Sequence, residues 1–144
     1  MIDIIGTIKL NSTGLRVEFD SDFNRYYIWL ITKYYYNTIK LDAPKHSGHL
    51  SIITKKLHKD KFIPNYLQQY HGQLVELQYN PTDLRTGGNN FTNFWFPVEF
   101  KLGTVIKKAL GIIENNFLGY HITICNNKNY VNYVNHDLVN NIVN

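Results

Sequence analysis

Two short segments of the chain repeat one pattern, a histidine followed two residues later by a hydroxyl side chain. They are His49-Leu50-Ser51 and His121-Ile122-Thr123, and their histidines lie half of the 144-residue chain apart. Each segment belongs to an apolar run typical of a strand, in which side chains alternate between two faces. We therefore expect each histidine and its hydroxyl to share one face, with the aliphatic residue between them on the other.

Two imidazoles and two hydroxyls that face one cleft suit a phosphodiester. One histidine can take a proton from a nucleophile and the other can donate one to the leaving oxygen, because imidazole titrates near neutral pH. Hydroxyls can hydrogen-bond the phosphate oxygens. The pattern predicts His49 and His121 as catalytic residues and Ser51 and Thr123 as phosphate-binding residues. One His-x-Ser on a strand is usually structural, so the prediction depends on the repeat.

Composition indicates one domain, residues 1–144, with a mildly basic surface. Hydrophobic residues make up 44% and aromatic residues 15%, enough for a core. The net charge of +4 and the isoelectric point near 9.1 favour an anionic ligand. Lysine and arginine are spread along the chain without a polybasic tract, so we expect no stable complex with a long nucleic acid.

The one cysteine, Cys125, allows no internal disulfide and indicates a reducing compartment. It shares the alternation parity of His121 and Thr123, so it could border the cleft, although a structural role is the better interpretation. The first residues lack the basic and apolar regions of a signal peptide, and no apolar run is long enough to span a bilayer. We therefore expect an intracellular, soluble protein with no membrane partner.

Periodicity along the chain predicts an α+β fold. An N-cap at residues 20–22 precedes the first helix, and residues 86–90 form a turn. The Asn-rich tail from residue 126 fits either a weak helix or an ordered flap. The predicted strands are residues 3–10, 48–54, 73–79, 91–100 and 119–125, and the predicted helices are residues 23–35, 64–70 and 105–111.

The paired triplets resemble the signature of the 2H phosphoesterase superfamily. Further blocks resemble one branch of it, the phage-encoded anti-CBASS phosphodiesterases that degrade cyclic oligonucleotide signals. These blocks are residues 22–29, 45–53, 70–79, 94–98 and 119–124, so the resemblance covers roughly residues 20 to 125. Ser51 stands where threonine is the other common choice, and the Asn-rich tail has no segment that matches the branch.

The resemblance implies a bilobal fold, with two small antiparallel sheets related by pseudo-twofold symmetry around a central cleft and helices outside. It implies a phosphodiesterase without metal or cofactor that hydrolyses 3′–5′ linkages of cyclic di- or trinucleotides, of the cyclic GMP-AMP or cyclic triadenylate type. Its setting would be the cytoplasm of an infected host cell, where it would counter CBASS defence. The residues agree with the absence of a metal, since neither triplet contains a carboxylate and Cys125 is alone.

Several alternatives stay open at this point. The runner-up activity is that of an RNA-end 2′,3′-cyclic or a 2′,5′-oligoadenylate phosphodiesterase, and a third possibility is a non-catalytic nucleotide sponge. Trp95 and Tyr26 are candidates for stacking on a base. The other histidines have weaker claims, and His58 is expected at the surface. The sequence leaves open the base preference, the oligomeric state and which histidine is the acid.

Overall fold

A computed structural model of the chain describes residues 1–46, 48–88, 92–113 and 119–127. Within these ranges the chain forms seven strands and three α-helices, which confirms the α+β class. The strands are β1 Ile2–Asn11, β2 Gly14–Glu18, β3 His49–Thr54, β4 Leu74–Tyr79, β5 Arg85–Gly87, β6 Thr92–Glu99 and β7 Tyr120–Asn127. The helices are α1 Asp22–Tyr34, α2 Pro64–Leu67 and α3 Lys101–Ala109.

The strands form one open antiparallel sheet in the order β3-β2-β1-β4-β6-β5, with β7 also paired to β6. Since β5 and β7 pair with the same residues of β6, they lie at its two edges. A short ladder, Gln78 opposite Glu99 and Tyr79 opposite Val98, joins β4 to β6. The expected division into two sheets with pseudo-twofold symmetry is therefore not confirmed, because this ladder makes the strands continuous.

The first His-hydroxyl segment lies in β3 and ends in a bulge. Ser51 pairs with Arg16 of β2, but the next pair joins Leu15 to Ile53, which leaves Ile52 as an extra residue. A bulge breaks the alternation of side chains, so Ile52 and Ile53 are both buried.

The second segment, in β7, has a bulge at the same place relative to its histidine. Thr123 pairs with Trp95 of β6, the next pair joins Phe94 to Cys125, and Ile124 is the extra residue. Ile124 and Cys125 are both buried. The alternation that would bring Cys125 to the border of the cleft is therefore wrong, because the bulge turns this side chain into the core.

The buried side chain of Asn24 connects helix α1 to both signature strands. Its Nδ2 donates to the carbonyl oxygens of Thr123 and Ile124, at 2.9 Å each, and its Oδ1 accepts from the backbone N–H of Gly48 at 3.0 Å. Only 1% of the residue is exposed. One amide thus satisfies the backbone at the bulge of β7 and at the residue that precedes β3.

Gly48 can be replaced by no other residue without strain. Its φ of 72° lies in the left-handed region, and a Cβ atom there would come within 2.4 Å of the Phe19 carbonyl oxygen. The same segment is held by the Phe19 N–H, which donates to the Gly48 carbonyl at 2.7 Å. This close approach sets where His49 enters its strand.

One aromatic cluster packs α1 onto the sheet. Its rings make edge-to-face or tilted contacts with centroids 4.8 to 6.1 Å apart, and they belong to Phe23, Tyr27, Tyr79 and Phe96. The hydroxyls of Tyr27 and Tyr79 hydrogen-bond each other at 2.7 Å inside the core. The polar tips of two large rings are thereby satisfied where water is excluded.

Most predicted elements are present, with three differences. Strands β2 and β5 were not predicted, and α3 begins four residues earlier than the predicted residue 105. At the start of α1, Ser21 makes no side-chain cap; instead the Asp20 carboxylate accepts from the backbone N–H of Asp22. The Asn-rich tail beyond residue 127 and residues 89–90 of the predicted turn lie outside the described residues. In the described ranges no helix has the length and hydropathy needed to cross a bilayer.

We expect Asn24→Leu to destabilise the fold by about 3 kcal/mol, because one donor and two acceptors of the backbone would be stranded in the core. Asn24→Asp keeps the shape but cannot donate to the two carbonyls when ionised, so it should also destabilise. Urea unfolding measures both variants. The control is Asn65→Leu at an exposed position of α2, where a change within about 0.5 kcal/mol is expected. Equal stability of the Asn24 variants and the control would contradict this role.

Candidate active site

The two His-hydroxyl segments meet in one cleft. His49, Ser51, His121 and Thr123 all line a cavity of about 260 Å³. Strands β3 and β7 approach each other here, although no ladder of hydrogen bonds joins them. The structure therefore brings together the four residues that the sequence assigned to catalysis and phosphate binding.

His49 begins β3, and the preceding loop holds its ring. Because a carbonyl can only accept, His49 Nδ1 donates to the backbone carbonyl of His46, which leaves Nε2 of the neutral ring as a proton acceptor. Burial lowers the pKa of His49, and the positive charge of Arg16 acts in the same direction. The His46 carbonyl and the Glu18 carboxylate act in the opposite direction but are outweighed.

His121 is more open to solvent than His49, yet its pKa is lowered for the same main reason. The atoms around its ring displace water and disfavour the charged form, while a hydrogen bond to the Gly119 carbonyl favours it. Both imidazoles are thus biased toward the neutral state. An anionic phosphate between them would favour protonation of either one, which is the condition for an acid–base pair.

The two hydroxyls are available for a ligand. Ser51 is exposed and Thr123 is half-buried, each two residues beyond its histidine. In the described part of the chain neither side-chain oxygen has a hydrogen-bond partner. The alternative that these hydroxyls serve to satisfy neighbouring backbone groups is therefore not what the structure shows.

Two further residues of the cleft wall were not predicted. His58, expected at the surface, lines the cleft, and its Nδ1 accepts from the backbone N–H of Thr54 at 3.2 Å. Lys107 of α3 also lines it, with Nζ 4.6 Å above the ring of Tyr120. Neither had a sequence signal, because His58 is isolated in the chain and Lys107 lies on a helix whose packing only the fold reveals.

Strand β2 adds a pair of charges beside the first segment. Arg16 lies opposite Ser51 and Glu18 opposite His49, and the two charged side chains form an ion pair at 2.7 Å. Directly opposed residues of an antiparallel pair share a face of the sheet, so this pair flanks the cleft. This ion pair was not predicted from the sequence because strand β2 itself was not predicted.

Trp95 lies beside the second segment, in a neighbouring cavity of about 290 Å³. His121 and Thr123 line this cavity as well as the cleft, so the two spaces share a wall. A Cβ atom at Gly87 would lie 3.1 Å from the indole ring, so a larger residue at this position would crowd the ring of Trp95. The ring is half-buried and lines this cavity together with His121, and an aromatic ring is a surface on which bases stack in other proteins.

Tyr26, the second candidate for stacking, lies elsewhere. Its side chain is exposed on α1, and its ring is tilted against that of Trp29 with the centroids 6.4 Å apart. It lines neither the cleft nor the cavity of Trp95. The structure thus does not bring Tyr26 together with the four residues of the cleft.

The described residues offer neither a cluster of metal ligands nor a reactive thiol at the cleft. In the portion of the chain that the structure describes, no three His, Cys, Asp or Glu side chains cluster as metal ligands. Burial raises the pKa of the Cys125 thiol well above its usual range, so this residue is a poor nucleophile.

Comparison of the chain with protein-family models, curated proteins and solved structures finds no match.

The lowered pKa values of His49 and His121 predict a stability that depends on pH. Below the ordinary value of 6.5 the unfolded chain binds protons that the folded chain resists, so the free energy of unfolding falls as the pH falls. The double variant His49→Gln, His121→Gln removes both titrating groups. Its free energy of unfolding should therefore fall less than that of the wild type as the pH falls. Urea unfolding at about pH 7.5 and about pH 5.5 measures the two losses. Equal losses in both proteins would mean that the two imidazoles do not titrate as described.

Proposed function

We propose that this protein is a phosphodiesterase that cleaves 3′–5′ linkages of cyclic di- or trinucleotides. The observation that carries the proposal is the shared cleft of His49, Ser51, His121 and Thr123. Residues half a chain apart supply two imidazoles with lowered pKa values and two hydroxyls without a described partner. A structural explanation of both triplets would not require that they face one space.

The reaction needs two proton transfers and no redox step. One histidine takes the proton of a nucleophile, which in a ribonucleotide can be the 2′-hydroxyl beside the scissile linkage. The new P–O bond forms as the bond to the 5′-oxygen breaks, and the second histidine donates a proton to that leaving oxygen. Ser51 and Thr123 donate to the non-bridging oxygens, where charge develops.

The surroundings of the cleft favour a nucleotide over a small phosphate ester. Trp95 offers a stacking surface in a cavity that shares His121 and Thr123 with the cleft. The paired triplets resemble the 2H phosphoesterase superfamily, and the further blocks of sequence resemble its anti-CBASS branch. This resemblance makes a cyclic oligonucleotide immune signal the leading substrate. On this proposal the two strand pairs β2–β3 and β6–β7, each with a bulge after its hydroxyl residue, are the two lobes of a 2H-like site.

A panel of substrates tests the proposal against its alternatives. Purified protein is incubated with cyclic GMP-AMP, cyclic triadenylate, a 2′,3′-cyclic-phosphate RNA and 2′,5′-oligoadenylate, each with and without excess EDTA. We expect turnover of a cyclic oligonucleotide that survives the chelator. Turnover of the RNA end or of the 2′,5′ linkage alone would favour the runner-up activity. Tight binding without turnover would indicate a sponge, and loss in EDTA would contradict a metal-independent reaction.

Both histidines should be required for turnover. We expect His49→Ala and His121→Ala each to lower kcat by about 10²–10⁴-fold, the usual contribution of a general acid or base. His71→Gln is the control, because its ring lies in the exposed turn before β4, where Nδ1 accepts from the Leu10 N–H. Steady-state rates measure the loss of turnover, and circular dichroism shows whether each variant is folded. A folded His49 or His121 variant with wild-type turnover would refute the two-histidine mechanism.

Removal of one hydroxyl should lower turnover less than removal of one histidine does. We expect Ser51→Ala and Thr123→Val to slow turnover and weaken ligand binding, by about 0.5–1.5 kcal/mol each or somewhat more in a dry site. The melting temperature should change little, because neither hydroxyl has a partner among the described residues. Kinetics, affinity for a product analogue and thermal melting are compared. Unchanged kinetics with a lowered melting temperature would show that the hydroxyls are structural.

A further inference from the structure

A second and larger space opens beside the cleft, along helix α3. This α3 groove has a volume of about 740 Å³, and its polar wall consists of Lys101, Thr104, Lys107, Lys108 and Glu99. Cavities that take an organic ligand commonly measure about 300–1,000 Å³. The cleft alone, at about 260 Å³, lies just below that range, whereas the α3 groove lies well within it.

The α3 groove and the cleft share a wall. Lys107, Gly119 and Tyr120 line both of them, and Tyr120 is the residue directly before His121. A ligand held between the histidines would reach the α3 groove by passing the ring of Tyr120, which lines both spaces. His121 also lines the cavity of Trp95.

Among the described residues that line the α3 groove, three are lysines and one, Glu99, carries a carboxylate, so the charge of this lining is positive. Lys101 and Lys108 form no ion pair within the described ranges. A lysine ammonium is a strong point charge for phosphate, although it lacks the planar fork of arginine. Among the described residues, the groove thus offers an anion two cations without an ion pair, in a space that shares a wall with the cleft.

The helix dipole of α3 explains the positions of only two of the three lysines. Lys107 and Lys108 lie in the last turn of α3, where a positive charge is favourable to the helix dipole. Lys101 is the first residue of the same helix, where a positive charge is unfavourable. Its presence on the wall of the same groove has a ready explanation if an anionic ligand binds there.

From this we infer that the α3 groove binds a second phosphate of the substrate whose scissile phosphate lies between His49 and His121. The inference rests on the proposed function and adds to it the place where a second phosphate of the substrate binds. It predicts that a second phosphate on the substrate improves turnover even when the nucleotide is linear. A ligand with one phosphate would use the cleft and leave the α3 groove empty.

The test compares substrates that share one 3′–5′ linkage and differ in a second phosphate. They are the dinucleoside monophosphate ApG, its 5′- and 3′-phosphorylated forms, and cyclic GMP-AMP. We expect the wild type to favour a two-phosphate substrate over ApG in kcat/KM by about tenfold or more, which corresponds to about 1.4 kcal/mol. The double variant Lys101→Gln, Lys108→Gln should lose most of this preference through KM while its rate on ApG stays the same.

The control is Lys33→Gln, Lys40→Gln, which removes the same charge from exposed positions that line neither space. It should keep the preference. The inference is overturned if the wild type shows no preference, if the preference survives in the double variant, or if the double variant loses activity equally on ApG. A lowered melting temperature with an intact preference would assign Lys108 to helix stability alone. Cleavage of ApG with no preference overturns the inference and leaves the proposed function standing, whereas no turnover of any substrate overturns both.

Discussion

The three hydrogen bonds of the Asn24 amide are the constraint on which the site depends. No ladder joins strands β3 and β7, so the separation of the two histidines is not set by direct pairing of these two strands. Asn24 supplies the missing connection, since it holds Gly48 before β3 and the Thr123 and Ile124 carbonyls in β7. Being 1% exposed, the amide makes these bonds where water cannot replace them.

The two bulges explain how each strand can serve the core and the cleft at once. Up to its hydroxyl, each segment alternates, with Leu50 or Ile122 in the core and the polar residues facing out. After the hydroxyl, the extra residue Ile52 or Ile124 places two apolar side chains in succession inside. Each strand is thereby anchored directly behind its hydroxyl residue, which limits how far the cleft can relax.

Sequence reasoning recovered the features that depend on local pattern. The alternation around His49 and His121, the amphipathic spacing of α1 and the aromatic face of β6 all follow from periodicity, and the structure contains them. Asn24 escaped because a buried amide has no local signature, and its partners lie 24 to 100 residues away. The bulges, β2 with Arg16, and the approach of Lys107 to the cleft depend on tertiary register, which a single sequence does not encode in any short pattern.

The proposed mechanism requires that both imidazoles flank one phosphate. Nuclear magnetic resonance of the imidazole C–H groups tests it most directly, with a non-cleavable phosphodiester analogue added at constant pH. The account predicts that His49 and His121 signals move toward the protonated position with the same saturation curve, because one anion opposes the burial that lowers both pKa values. The ring signals of His71, outside the cleft, should stay in place. A response of only one of the two histidines, or of neither, would contradict a shared site.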